Sequence, residues 1–215
     1  MKKKIFVYLV SIFFLFLRPE QSFAEINKVI ISVGTYPITR LDLFKEIKLI
    51  AIISNQEITE ENKERIKNLA VQSLITKAIK TLEIERYKVE KFNKTDLENL
   101  ITSAAKNLNL DKDGLKQLLI QNNLSYESLI SKFKVDLKWN SMIFDMYKNR
   151  ISLNTVEIEN KLNLEIKRLE VGVNNEERIE AIKKNLVSQE KNKKLKMFSN
   201  SHYSNLERVV QIKFL

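Results

Sequence analysis

The sequence contains no cysteine, three glycines, two prolines and a single histidine, His202. Without cysteine the chain has no disulfide, no thiol nucleophile and no thiolate metal ligand. Three scattered glycines cannot form a glycine-rich phosphate-binding loop. We place His202 in a surface loop, where no nucleophile or carboxylate is arranged around it, and a metal site usually needs several ligands. The sequence therefore offers no catalytic, cofactor-binding or metal site, and we predict that the protein is not an enzyme.

The scarcity of glycine and proline favours long helices, because these two residues destabilise a helix interior most. Apolar residues at helical spacing indicate a helix from Thr59 to about Tyr87 and a last helix from about Glu176 towards Asn200, with a loop over Ser199–Asn205. Further helices are predicted to begin after the N-caps Asn93, Asp111, Ser125 and Asn154.

Strand-like alternation occurs near both ends of the chain. Val29, Ile31 and Val33 alternate with other residues, and Arg208–Phe214 shows the same period of two. Between the first strand and the first helix, Gly34–Pro37 reads as a turn. Thr39 then stands three residues before Asp42, as in a capping box. We predict a mostly α fold with a small two-stranded sheet that pairs the N- and C-terminal strands, parallel or antiparallel.

The first 24 residues have the layout of a secretory signal peptide. Three lysines, Lys2 to Lys4, precede a predominantly apolar run, Ile5–Leu17, and Ser22-Phe23-Ala24 places small residues where a signal peptidase reads them. We predict cleavage after Ala24, an uncleaved anchor being the alternative. Residues 25–215 then form a single domain, in which 174–215 supplies a C-terminal helix and strand that complete the part formed by 25–166.

The chain is basic, with 37 lysines and arginines against 27 acidic residues and a formal net charge of +10. A basic balance is common in nucleic-acid-binding proteins, but export argues against that function here. We interpret the charge as a lysine-rich solvated surface. Such a surface also attracts acidic clients or anionic lipid head groups.

The predicted helix over Tyr126–Arg150 is apolar on two opposite sides. One side carries Ile130, Phe133, Leu137, Phe144 and Tyr147, and the other carries Val135, Trp139, Met142 and Met146. We call the second set the Trp139 stripe. Methionine suits surfaces that accept varied apolar partners, so the Trp139 stripe is a candidate contact surface for client peptides. The alternative is that neighbouring helices bury both sides.

The order of these elements resembles a known family. The segments Lys28-VIISVGTYPIT-Arg40, Leu69-AVQSLITKAI-Lys80 and Tyr126-ESLISKFKVDLKWNSMIFDMYKNRI-Ser152 resemble the N-terminal domain of SurA-type periplasmic chaperones. The resemblance covers Ile26 to about Leu164, and Glu176–Phe214 is similar to the family's C-terminal helix and strand. Family members usually carry parvulin-type prolyl isomerase domains between these parts. Here only a short segment, Lys167–Glu176, joins them, which is too short for a parvulin domain, so the resemblance implies the chaperone core without that domain.

The resemblance implies an ATP-independent periplasmic chaperone, a holdase that binds unfolded outer-membrane proteins and apolar or aromatic peptides. It implies no cofactor and no nucleic-acid partner. Two competing functions stay open: a prolyl isomerase or a degenerate relative of one, and an interaction module with one fixed partner in envelope assembly. Transient contact with the membrane surface and homodimer formation also stay open.

Overall fold

The computed structural model of the protein describes residues 27–169 and 175–215. In these ranges the chain forms β1 (Val29–Val33), β2 (Tyr36–Thr39), α1 (Arg40–Ile53), α2 (Lys63–Arg86), α3 (Lys94–Asn107), α4 (Lys112–Gln121), α5 (Tyr126–Tyr147), a 3-10 turn (Lys148–Arg150), α6 (Thr155–Arg168), α7 (Glu176–Val209) and β3 (Ile212–Phe214). The predicted mostly α fold is confirmed. The predicted signal peptide, residues 1–24, and residues 170–174 of the predicted short connection lie outside the described residues.

The described chain divides into two compact units, one formed by residues 27–75 with 211–215 and the other by 76–169 with 175–210. The first unit contains the sheet and α1. The second contains α3 to α7. The assignment of residues 25–215 to a single domain stays a prediction.

The sheet of the first unit has three strands in the order β2-β1-β3, and both pairings are antiparallel. The predicted pairing of the two terminal strands is confirmed, with Ile31 opposite Phe214. The prediction of two strands was wrong, because the turn is shorter than Gly34–Pro37. It consists of Gly34 and Thr35, and Gly34 has φ 56°, a conformation that glycine adopts readily. Tyr36 therefore starts a second strand, whose edge position tolerates Pro37.

Helix α1 begins with the predicted capping box. The Thr39 side chain accepts a hydrogen bond from the Asp42 backbone N–H at 3.1 Å, and an Asp42 carboxylate oxygen accepts one from the Thr39 N–H at 2.9 Å. In the same unit the carboxylate of Glu46, 8% exposed, accepts a 2.6 Å hydrogen bond from the Ser73 hydroxyl. The buried carboxylate of Glu46 thus has a hydrogen-bond partner, as buried polar groups in folded proteins usually do.

Predicted helix starts are confirmed at all four N-caps of the second unit, where each side chain accepts a backbone N–H in the first turn: Asn93, Asp111, Ser125 and Asn154. Helix α2 begins at Lys63 rather than at Thr59. The Thr59 N–H donates instead to the Asn62 side chain at 2.9 Å, which closes a turn ahead of the helix.

Helix α7 is longer than predicted. It continues to Val209 through the segment predicted as a loop, Ser199–Asn205, and the last strand begins at Ile212 instead of Arg208. The reason is tertiary packing, since Phe198, Tyr203 and Leu206 lie against the apolar core of the second unit. Helical spacing brings these side chains to one face, which a loop would not do.

Helix α5 lies at the centre of the second unit, between two apolar clusters. On one side Leu137 packs with Leu97 and Ile101 of α3. On the other side Trp139, Met142 and Ile143 pack with Ile84 of α2. The alternative interpretation of the two-sided helix therefore applies: neighbouring helices cover both of its apolar sides.

Candidate functional site

The structure places the Trp139 stripe inside the second unit. Trp139 is 1% exposed and Met142 is 3% exposed, while Val135 and Met146 are partly buried at the margin of the same cluster. Helix α7 covers the stripe with Leu195, Phe198, Tyr203 and Leu206. The stripe is thus core packing in this conformation, and its contact with clients stays a prediction.

Polar bonds accompany this packing. The Trp139 indole Nε1–H donates to the Ser199 hydroxyl of α7 at 2.8 Å. The hydroxyls of Thr76 and Tyr203 lie 3.1 Å apart, within hydrogen-bond distance. Lys80 pairs with Asp136 at 2.6 Å, and its ammonium lies 5.8 Å from the centre of the Trp139 ring. A buried indole usually finds a partner for its N–H, and Ser199 serves that purpose here.

The structure corrects the placement of His202. It lies in α7, its side chain is 13% exposed, and Nε2 is 3.0 Å from a carboxylate oxygen of Glu83. Nδ1 is 3.0 Å from the hydroxyl of Tyr147, and Arg86 donates to the same Glu83 oxygen at 2.6 Å. A neutral imidazole satisfies both contacts if Nε2–H donates to the carboxylate and Nδ1 accepts from the phenol. We name these residues the His202 network.

The His202 network joins three helices, because Glu83 belongs to α2, Tyr147 to α5 and His202 to α7. A carboxylate, an imidazole and a hydroxyl in series can also move protons in enzymes. Here the Glu83 side chain is 4% exposed and already paired with Arg86, and the Tyr147 ring is stacked on Phe198. These contacts fix the side chains in place, and we interpret the network as a clamp between helices. No sequence pattern brings these residues together, since they are far apart along the chain.

An exposed pocket with a mainly apolar lining lies beside this cluster, where α7 faces the chain that leaves α5. The pocket has a volume of about 310 Å³. Its lining residues are Arg150, Ser152, Lys194, Met197, Phe198 and Ser201. We call it the Met197 pocket. Met197 is 63% exposed, whereas Phe198 is partly buried and stacks on Tyr147 with ring centres 4.8 Å apart.

Two cations border the Met197 pocket. The guanidinium of Arg150 lies 5.7 Å from the centre of the Tyr147 ring, and Lys194 lies on α7 and is partly buried. Within residues 27–169 and 175–215, neither Arg150 nor Lys194 forms an ion pair with an acidic side chain. Sequence reasoning missed this pocket because its two walls come from separate segments, and Met197 alone reads as one apolar residue of a helix.

A second groove lies between α3 and α5 and has a volume of about 480 Å³. Its lining mixes amides, carboxylates and apolar side chains, including Asn99, Asn140, Asp136 and Phe133. Since Asp136 is already paired with Lys80, the polar groups of this groove are partly committed to intramolecular contacts. The Met197 pocket is therefore the stronger candidate for binding an external apolar group.

Two negative findings concern the part of the chain that the structure describes. There, no three His, Asp or Glu side chains are grouped so that they could hold a metal ion. No helix of residues 27–169 and 175–215 combines the length and the apolarity needed to cross a membrane.

Comparisons with known proteins show a likeness at the level of structure and none at the level of sequence. No family model matches the sequence, and no curated protein matches it. The structure is similar to a solved chain from work on the virulence factor PEB4 and the periplasmic protein Cj1289, two structurally related SurA-like chaperones of Campylobacter jejuni. The likeness covers 88% of this chain and 99% of the solved chain, with 16% identical residues and a TM-score of 0.40.

Proposed function

We propose that the protein is an ATP-independent chaperone of the periplasm, a holdase that binds unfolded outer-membrane proteins without chemical turnover. The observation that carries the proposal is the Met197 pocket, an exposed apolar site with a methionine at its mouth. Support also comes from the sequence, through its resemblance to the SurA-type chaperones and its predicted signal peptide over residues 1–24. A flexible, polarisable thioether adapts to varied apolar side chains, which a holdase requires.

The mechanism is reversible burial of client side chains. A pocket of about 310 Å³ is at the small end of ligand sites, so it accommodates about one large side chain. Complete burial of such a side chain contributes about 1.5–3 kcal/mol, and much of that is offset by the loss of freedom on association. Binding is therefore weak and fast to reverse, which lets the client leave without ATP.

The predicted contacts through Val135, Trp139, Met142 and Met146 are compatible with this proposal only if α7 separates from α5. Trp139 and Met142 are almost completely buried in the closed arrangement. We therefore place the first contact with a client at the Met197 pocket. Contact through the Trp139 stripe stays a prediction for a state in which α7 has moved away.

The experiment is an aggregation assay with two unrelated clients. A urea-unfolded outer-membrane β-barrel protein and a chemically unfolded soluble enzyme are each diluted into buffer with or without the purified protein, and light scattering is recorded. A holdase suppresses scattering of both clients, and adding ATP leaves the suppression unchanged. Protection of neither client would contradict the proposal.

The same preparation separates the competing functions. Protection of one client alone favours an interaction module with a fixed partner. Turnover of a prolyl-peptide substrate by protein free of contaminating isomerases would favour the isomerase. Recovery of the purified protein from the periplasm, lacking residues 1–24, tests the predicted export, and recovery with an intact N-terminus in the cytoplasm would contradict it.

A further inference from the structure

We propose that the Met197 pocket selects client segments in which an aromatic or long aliphatic side chain stands next to an aspartate or glutamate. The inference rests on the proposed function and names the chemistry of its substrate. The juxtaposition that carries it is an exposed thioether, a partly buried lysine and an arginine around one apolar pocket.

The apolar half of the specificity comes from Met197 and Phe198. Met197 leaves 63% of its surface in water, and Phe198 is held in place by its stack on Tyr147. A client side chain that enters the pocket covers the thioether and the free edge of this fixed ring. The lining area removed from water is small, so one side chain, and not a folded surface, is the fitting occupant.

The charged half comes from Lys194 and Arg150. The segment 191–196 of α7 contains four lysines and no acidic residue. Neighbouring acids are committed to other cations: Asp145 pairs with Lys148 at 2.9 Å and Glu157 with Lys161 at 2.6 Å. Within the described residues, the rim of the pocket therefore has two cations, Lys194 and Arg150, that form no ion pair.

The pKa of one carboxyl group of the chain, that of Glu157, is lowered in part by these lysines. The hydrogen bond and charge of Lys161 lower the pKa of Glu157, and Lys193 and Lys194 add to that lowering. The field at this surface thus stabilises the ionised form of a carboxyl group. Of these lysines, Lys194 lines the pocket, so a client carboxylate beside the pocket would lie near its charge, and complementary charge raises both selectivity and the rate of encounter.

An anionic membrane surface is the other partner that positive charge attracts, but the geometry favours a peptide. Lys194 is partly buried at the wall of an apolar pocket, so its charge lies beside a space that an apolar side chain fills and a lipid head group does not. An unfolded polypeptide carries an apolar side chain and a carboxylate close together in one flexible segment, so that one can enter the pocket while the other lies at its rim.

The test compares three peptides that differ only in their central residues. Each has Gly-Ser-Gly at both ends, an amidated C-terminus and a neutral N-terminal dye, with a centre of Phe-Asp-Phe-Asp, Phe-Lys-Phe-Lys or Ser-Asp-Ser-Asp. Affinity for the full chain is measured by fluorescence anisotropy at low and high salt. The Phe-Asp peptide should bind most tightly, and its affinity should fall with salt because charge contributes to it.

Substitutions at the pocket should separate the two halves of the specificity. Lys194→Glu should weaken binding of the Phe-Asp peptide about 3- to 10-fold and leave the Phe-Lys peptide unchanged or tighter. Met197→Ser should weaken both phenylalanine peptides by about 3- to 10-fold, because it removes apolar contact area. Lys184→Glu changes the same charge at an exposed site elsewhere on α7 and should have no effect. Arg150→Glu repeats the charge test if Lys194→Glu does not fold.

Several outcomes would overturn the inference. They are equal affinity for the Phe-Asp and Phe-Lys peptides, equal effects of Lys194→Glu and Lys184→Glu, and binding to vesicles of anionic phospholipid with no peptide binding. The aggregation assay distinguishes this failure from failure of the proposed function. Client protection that survives the three pocket substitutions, Lys194→Glu, Met197→Ser and Arg150→Glu, leaves the holdase standing and removes the pocket as its site. Selective peptide binding without client protection would contradict the proposed holdase function and would leave the inferred specificity of the pocket standing.

Discussion

Replacing Trp139 by alanine should remove a large part of the stability of the second unit. The ring is 1% exposed, and large-to-small substitutions of buried aromatic residues cost about 3–5 kcal/mol. Domains are stable by only about 5–15 kcal/mol, so the loss is about a fifth of the total or more. For a chain of this length, it corresponds to a fall in Tm of roughly 6–20 °C. Trp139→Phe keeps most of the ring but leaves the Ser199 hydroxyl without the indole N–H, which should cost about 1–2 kcal/mol.

Chemical unfolding followed by far-UV circular dichroism measures these losses. Fluorescence is unsuitable for the comparison, because Trp139 is the chain's one tryptophan and both substitutions remove it. Phe144→Ala is the matched control on the same helix, since its ring is 49% exposed, and it should cost less than about 1 kcal/mol. A Trp139→Ala variant as stable as Phe144→Ala would refute the packing of α7 over the Trp139 stripe.

Three further substitutions test other parts of the structure. Thr39→Ala removes one half of the capping box and should cost about 1 kcal/mol in urea unfolding, whereas Thr102→Ala, inside a helix, should stay within about 0.5 kcal/mol. His202→Ala removes a partner of the buried Glu83 carboxylate and should cost about 1–3 kcal/mol; a negligible loss would mean that Arg86 alone satisfies this carboxylate. Burial raises the pKa of Tyr203 above its ordinary value of 10.0, so the unfolded chain loses this proton first as the pH rises. Stability should therefore fall above about pH 10, and Tyr203→Phe, tested by thermal melts from pH 8 to 11, should make that fall shallower.

Local signals predicted the helices well. The capping box at Thr39 and the N-caps at Asn93 and Ser125 could be read from the sequence because a cap involves residues only two or three positions apart. The pairing of the terminal strands was also predictable, since each strand needs a partner and strand-like alternation was found near both ends of the chain.

Features that depend on distant contacts were not predictable. The last turns of α7 have too few apolar residues to signal a helix alone, and they are helical because Tyr203 and Leu206 pack against the core. His202 gave no sign of its partners, Glu83 and Tyr147, which lie on other helices. The two apolar sides of α5 were visible, but deciding whether a side is covered requires knowing where α7 lies.

The pairing of β1 with β3 and the covering of Trp139 by α7 have a shared consequence for folding during synthesis. The strand β1 cannot form its pairing with β3 until β3, the last of the described elements, has been synthesised. In the same way, the indole N–H of Trp139 cannot bond to Ser199 until α7 has been synthesised. Contacts of such long sequence separation form slowly, because the ends of a long loop must be brought together first. A nascent chain that has emerged as far as α6 thus carries an uncovered strand edge and an uncovered tryptophan. Until the last of the described residues are made, the nascent chain therefore exposes a strand edge and an indole that the folded protein covers.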